Sequence, residues 1–201
     1  LIKKKKLNLN MKKEKVLYST DLYKLMERDG IVGIKPMLMN VIVMPFTCDE
    51  NKLPLLIGVV QETNPFREGG LNITLPIGLS EDEDPDLFST AKRALMDASS
   101  INIEEADKWY YLGTSTTSAF VDTEYPCFAV DVTGAEPTPD SNETGEKKDE
   151  FKFIPANDVV KAKDIFIPGL FLKLFKYVMG MNISNPDGKN LDKDNVHNLS
   201  L

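Results

Sequence analysis

The sequence predicts an α+β domain, an α/β/α sandwich in which two helices enclose a mixed sheet. Three observations predict it. Met37–Phe46 (MLMNVIVMPF) and Leu55–Gln61 (LLIGVVQ) are apolar, β-branched runs of buried-strand character, joined by the turn-forming DENKLP. Phe88, Ala91, Leu95 and Ala98 recur at three- and four-residue spacing, which places them on the buried side of an amphipathic helix. Strand-like runs then resume, and a second amphipathic stretch, Pro168–Val178, follows with Pro near its N-terminus. The order is strands, helix, strands, helix, with no internal repeat.

Residues 1–15 hold Lys3 to Lys6, Lys12, Lys13 and Lys15, and read as a flexible basic arm. Translation is expected to begin at Met11. Residues 16–180 form the domain. Val16–Tyr18 reads as a short strand. Asp21 is expected to cap a short helix through Arg28 that Gly30 ends. Ile31–Lys35 is a further strand before Pro36. Met37, Met39 and Met44 are expected as core filler. The loop 63–70 carries Arg67 and the pair Gly69-Gly70. Asn72–Leu75 is a strand ended by Pro76, and Gly78 allows the turn after it.

Asp84, Pro85 and Asp86 look like a helix start, with Pro in the first turn and acid near the positive end of the dipole. Lys108–Gly113 (KWYYLG) and Cys127–Thr133 (CFAVDVT) read as strands on either side of a polar loop holding Phe120. Residues 134–148 are expected to be a mobile acidic excursion. Glu150–Ile154 is a strand, Pro155–Val160 starts a short helix, and 181–201 is a polar, disordered tail.

Composition narrows the function. The chain has 201 residues, 42% of them hydrophobic, enough for one well-buried core. A formal net charge of −7 argues against nucleic-acid binding by bulk charge and leaves the N-terminal arm as the one plausible RNA or DNA contact. Two cysteines, Cys48 and Cys127, and one histidine, His197, carry no metal-ligand spacing; they fit a reducing, cytoplasmic setting and exclude a zinc site or disulfide framework. No apolar run reaches membrane-spanning length. Lys and Asn richness at both ends points to an AT-rich source such as a phage.

One run of motifs, taken in order, resembles a known family. It comprises VIVMPF, LLIGVVQ ending at Gln61, Arg67, LPIG with Gly78, EDP, then Ala91-x-Arg93-x-Leu95-x-Asp97 and Ile101, followed by WYYLG, CFAVDV and DEFKFIP. Over about residues 37–180 the chain is similar to Nudix proteins, closest to their ADP-ribose pyrophosphatase-like branch. That family's box runs Gly, five residues, Glu, seven residues, then Arg-Glu-aliphatic-x-Glu-Glu-x-Gly-aliphatic. Gly78, Arg93, Leu95 and Ile101 fit it. Asp97 stands in for one Glu, while Ala94, Ala98 and Ser100 replace two glutamates and the Gly. The acidic loop has a length change, so no one residue of Glu81–Asp84 matches the loop glutamate.

Chemistry gives these departures their weight. Splitting a pyrophosphate needs divalent cations to neutralise phosphate charge and activate water. Magnesium wants oxygen ligands in near-octahedral order. Positions 94, 97 and 98 share a helix face, and here that face is Ala, Asp, Ala. The resemblance implies two readings. In the first, the fold persists without catalysis, as a nucleotide-binding module or as an interaction subunit of a larger assembly or homodimer. In the second, Asp97, Glu81 and Glu83 hold magnesium or manganese, Arg93 orients the box, and the chain hydrolyses a nucleoside diphosphate derivative such as ADP-ribose. Gln61, Arg67, Gly78 and Phe120 are the candidate ligand contacts in either case. Each also has a plainer reading, as a loop, rim or packing residue.

Overall fold

The computed structural model describes residues 14–21, 23–28, 30–63, 71–116, 123–137 and 150–180. The calls on Arg67, Gly69, Gly70, Phe120, His197, the lysines before Lys15 and the polar tail lie outside them. The described residues divide into two compact units, one within Leu1–Leu38 and Thr116–Thr123 and one within Met39–Ser115 and Glu124–Leu201.

The first unit is a three-stranded antiparallel sheet of β1 (Lys15–Ser19), β2 (Tyr23–Arg28) and β3 (Ile31–Pro36), in that order. The helix expected over Asp21–Arg28 is therefore a strand. Leu22, Tyr23, Leu25 and Met26 stand at the three- and four-residue spacing of a helical stripe, but the strands on either side supply hydrogen-bond partners along Tyr23–Arg28 and this pairing prevails. Gly30, at φ 80°, makes the tight return into β3 that an L-residue adopts poorly.

The second unit is built on a mixed sheet in the order β10 (Glu150–Pro155), β5 (Pro54–Thr63), β4 (Asn40–Cys48), β9 (Tyr125–Asp131) and β8 (Trp109–Ser115). β4 and β9 are parallel; the other neighbours are antiparallel. β6 (Leu71–Thr74) pairs with β5, and β7 (Ile77–Leu79) with the start of β4. α1 (Leu87–Ser99) and α2 (Phe166–Val178) cover opposite faces. This is the predicted two-helix sandwich.

β4 shows why two layers form. Its side chains alternate, so Val41 and Val43 join the layer beneath α1, while Ile42, Met44 and Phe46 join the layer beneath α2. The α1 layer is completed by Leu87, Phe88, Ala91 and Leu95 against Trp109, Phe128 and Val130. Phe88 meets Trp109 edge-on at 5.2 Å between ring centres, and the Trp109 indole N–H donates to the Ile103 carbonyl at 3.1 Å. α2 contributes Ile167, Leu170 and Leu174 to the other layer, with Cys127 and Ala129 beneath. Each such side chain, fully buried, contributes roughly 1.5–3 kcal/mol. Cys127 is core, as its apolar strand predicts. Of the three methionines expected as filler only Met44 is buried; Met37 and Met39 precede β4 and are 44% and 38% exposed.

α1 begins two residues later than its Pro suggests. Asp86 is the N-cap, accepting from the Ser89 backbone N–H at 2.7 Å and its hydroxyl at 2.8 Å, so Pro85 lies just outside the helix. Asp86→Ala is expected to lower stability by about 1–2 kcal/mol, read as a lower urea midpoint with an unchanged slope. At the other end Ser100 closes the helix in the left-handed region, φ 57°, its N–H donating to the Met96 carbonyl at 2.8 Å. That conformation favours glycine, which is the residue the family's box carries there.

Candidate functional site

The site is the junction of β7, the acidic loop after it and α1. Arg93 is its centre. One turn of helix before Asp97, its guanidinium reaches back over the loop and is 29% exposed. Nε and Nη2 donate to the two carboxylate oxygens of Asp84 at 3.3 and 2.7 Å, the planar fork matching the carboxylate. Nη2 also donates to the Leu79 carbonyl at 2.6 Å. Nη1 lies 2.9 Å from Glu81 and 3.7 Å from Asp97.

Asp84 is held from three sides. Besides Arg93 it accepts from the Glu81 backbone N–H at 3.0 Å and the Thr90 hydroxyl at 2.9 Å, and its side chain is 9% exposed. The hydrogen bond from Arg93 is the chief cause that holds its carboxyl below the usual carboxylate range; burial opposes this, and the Glu81 N–H and Thr90 hydroxyl add to it. The same bond raises the Arg93 pKa further. The loop is thus pinned to the helix by one ion pair with a ring of supporting donors.

Gly78 does not make the expected turn. It lies inside β7, opposite Val41, where strand and helix nearly touch. A Cβ at position 78 would stand 2.8 Å from the Ala94 Cβ and 3.2 Å from the Thr90 carbonyl oxygen. Ala94 in turn is 3% exposed. Its place beside Asp97 and Ala98 on the helix surface, expected from spacing alone, is corrected by this packing: Ala94 faces the strand, while Ala98 is only half-buried.

The remaining candidates are scattered. Asp97 is exposed, its side chain at 66%, with Arg93 as its ion-pair partner. Glu81 shares that partner, and Glu83 lies exposed in the turn before Asp84. Gln61 belongs to β5, where its side-chain carbonyl accepts from the Lys152 ammonium. Burial is the chief cause that pushes the Cys48 thiol up to about 11 and raises Cys127 as well, so neither offers a thiolate near neutrality.

Among the described residues, no three of His, Cys, Asp and Glu stand close enough to share a metal ion. The acids that converge do so on a guanidinium. This donor set does not fit magnesium, which needs several carboxylate or carbonyl oxygens turned to one point.

Sequence reasoning missed Asp84 as the loop's anchor. A signal was present: Gly78 and Asp84 are separated by five residues, the first spacing of the family's box, and the extra residue lies between Asp84 and Arg93.

No family model matches the chain, and no curated protein matches it. Solved structures do. An ADP compounds hydrolase superposes with a TM-score of 0.59 at 10% identity, over 85% of this chain and 94% of its own. A structure from Listeria monocytogenes strain 4b F2365, assigned to the Nudix hydrolases, gives 0.52 at 18% identity, over 71% of this chain and 94% of its own. With its mixed sheet between two helices, its Gly78–Arg93 loop and these likenesses, the chain has a Nudix fold.

Proposed function

We propose that this Nudix-fold chain binds a nucleotide-type small molecule without hydrolysing it, and acts as a binding or interaction subunit, in a phage-like setting, rather than as an enzyme. One observation carries the reading: the acids of the loop and helix, Glu81, Asp84 and Asp97, are turned onto Arg93. Asp97 is the single carboxylate of α1. Fold alone does not argue for turnover. A structural neighbour that is an ADP compounds hydrolase supports the ligand class.

Calorimetry with ADP-ribose, with and without magnesium, tests this. Saturable binding of similar affinity in both conditions is expected, with the nucleotide recovered intact. Failure to bind ADP-ribose or ADP at millimolar concentration would remove the nucleotide from the proposal.

The second reading is a magnesium- or manganese-dependent pyrophosphohydrolase. It is favoured by the position of Glu81 and Asp97 on the same guanidinium nitrogen, at 2.9 and 3.7 Å, which brings two carboxylates to one side of the loop. Glu83 would have to turn in to join them. Release of AMP from ADP-ribose with manganese, lost in Asp97→Asn, would establish this reading over the first.

A further inference from the structure

α2 is apolar on more sides than its packing uses. Ile167, Leu170 and Leu174 turn into the layer beneath it. Helical spacing puts Ile165, Leu172 and Met179, each seven residues from the next, on the opposite side. They are 70%, 55% and 46% exposed, and Val160, just before the helix, is 75% exposed. A helix that is apolar all round and covered on one side only calls for a second apolar environment.

The charges around this row have one sign. From Val160 to Gly180 they are Lys161, Lys163, Lys173 and Lys176 against Asp164 alone. Asp164 serves the helix start, accepting from the Phe166 backbone N–H at 2.7 Å. Lys173 is drawn toward β8, donating to the Thr114 carbonyl at 3.2 Å and to the Ser115 hydroxyl at 3.1 Å. Lys163 and Lys176 are exposed, near the two ends of the row. The same stretch contains no Ser, Thr, Asn, Gln or Glu.

Aliphatic side chains flanked by ammonium groups suit an anionic lipid surface. The side chains enter the acyl boundary, the lysine stems lie along it, and the ammonium groups reach the phosphates. A protein partner would call for a hydrogen-bonding rim and an aromatic or Arg anchor, and the row has neither. The chain as a whole is anionic, but charges more than about 10 Å away are screened at ordinary ionic strength. The acidic loop Glu81–Asp84 leads into α1, on the other face of the sheet.

We infer that the outer side of α2 rests on a membrane surface rich in anionic lipid. No helix among the described residues is long and apolar enough to cross a membrane; α2 lies along the interface, with Ile165, Leu172 and Met179 inserted and Lys163 and Lys176 at the headgroups. This contact is independent of any nucleotide held beside α1.

The test is sedimentation of the full chain with vesicles of equal parts phosphatidylserine and phosphatidylcholine, and with phosphatidylcholine alone. The chain is expected to pellet with the mixed vesicles and to bind the neutral ones about tenfold more weakly. Leu172→Glu, and the double change Lys163→Glu with Lys176→Glu, are each expected to weaken binding to mixed vesicles by about tenfold or more, with circular dichroism confirming the fold. Met96→Glu is the control: it adds the same charge at an exposed apolar position of α1 and is expected to bind as the unchanged chain does. In Leu172→Trp the added indole emission should shift to the blue on mixed vesicles, while Trp109, buried, stays constant. Absence of pelleting, pelleting indifferent to Leu172→Glu or to the lysine change, an equal loss in Met96→Glu, or an unshifted emission would overturn the proposal. So would self-association that Leu172→Glu abolishes and vesicles leave unaltered, which would make the row a contact between proteins.

Discussion

Ala94→Glu, which writes back a carboxylate found in the family's box, is expected to destabilise the domain by about 3–5 kcal/mol rather than to build a metal site. The residue is 3% exposed. Its methyl group already sits where β7 passes so close that only glycine fits opposite, a Cβ at position 78 standing 2.8 Å away. A carboxylate there is overpacked and stripped of water at once. Ala98→Glu is the control. That position is half-buried, and the same change is expected to cost less than about 1 kcal/mol. Urea denaturation of the two variants distinguishes them. Equal, small losses would mean that the strand and helix separate readily at Gly78.

Asp84→Ala carries the second large effect, about 2–3 kcal/mol, because Arg93 loses its bidentate partner and Thr90 and the Glu81 N–H lose their acceptor. The pH dependence has a definite sign. The folded-state pKa of Asp84 is depressed, so its contribution is complete above the ordinary carboxylate pKa and disappears as pH falls through the lower, folded value. Acidification from neutral pH should therefore destabilise the natural chain more than Asp84→Ala. The two stabilities should converge in acid. Parallel pH profiles would show that Asp84 titrates alike in the folded and unfolded states.

Much of the fold was legible because hydrophobic pattern and secondary structure agree. VIVMPF and CFAVDV are buried strands because their branched and aromatic side chains fill two layers at once, whereas LLIGVVQ lends Ile57 and Val59 to the layer beneath α2. The Phe88–Ala91–Leu95 stripe became a helix for the converse reason. Tyr23–Arg28 misled because a lone Asp at its start and a Gly after its end mimic helix caps; sheet pairing on both sides prevailed over those local signals. Met37 and Met39 misled because apolar character does not say where a strand begins.

The site was legible in composition and not in geometry. A helix with one carboxylate at positions 94, 97 and 98 could be read directly. Spacing put Ala94 on the outer face, and the Gly78 contact, which no spacing reveals, puts it inside. Nor did the run Glu81–Asp84 disclose which acid Arg93 would choose. Asp84 is chosen because the loop turn also aims the Glu81 N–H and the Thr90 hydroxyl at it, so one carboxylate satisfies three donor groups.

A titration of the purified chain with manganese, followed by the paramagnetic signal of the free ion, bears most directly on whether Arg93 has taken the acids that a metal would need. With Glu81, Asp84 and Asp97 bound to the guanidinium, no manganese site tighter than about 1 mM, roughly 4 kcal/mol of binding free energy, is expected, with or without ADP-ribose. A micromolar site that vanishes in Asp97→Asn would contradict it, and would make these carboxylates ligands instead.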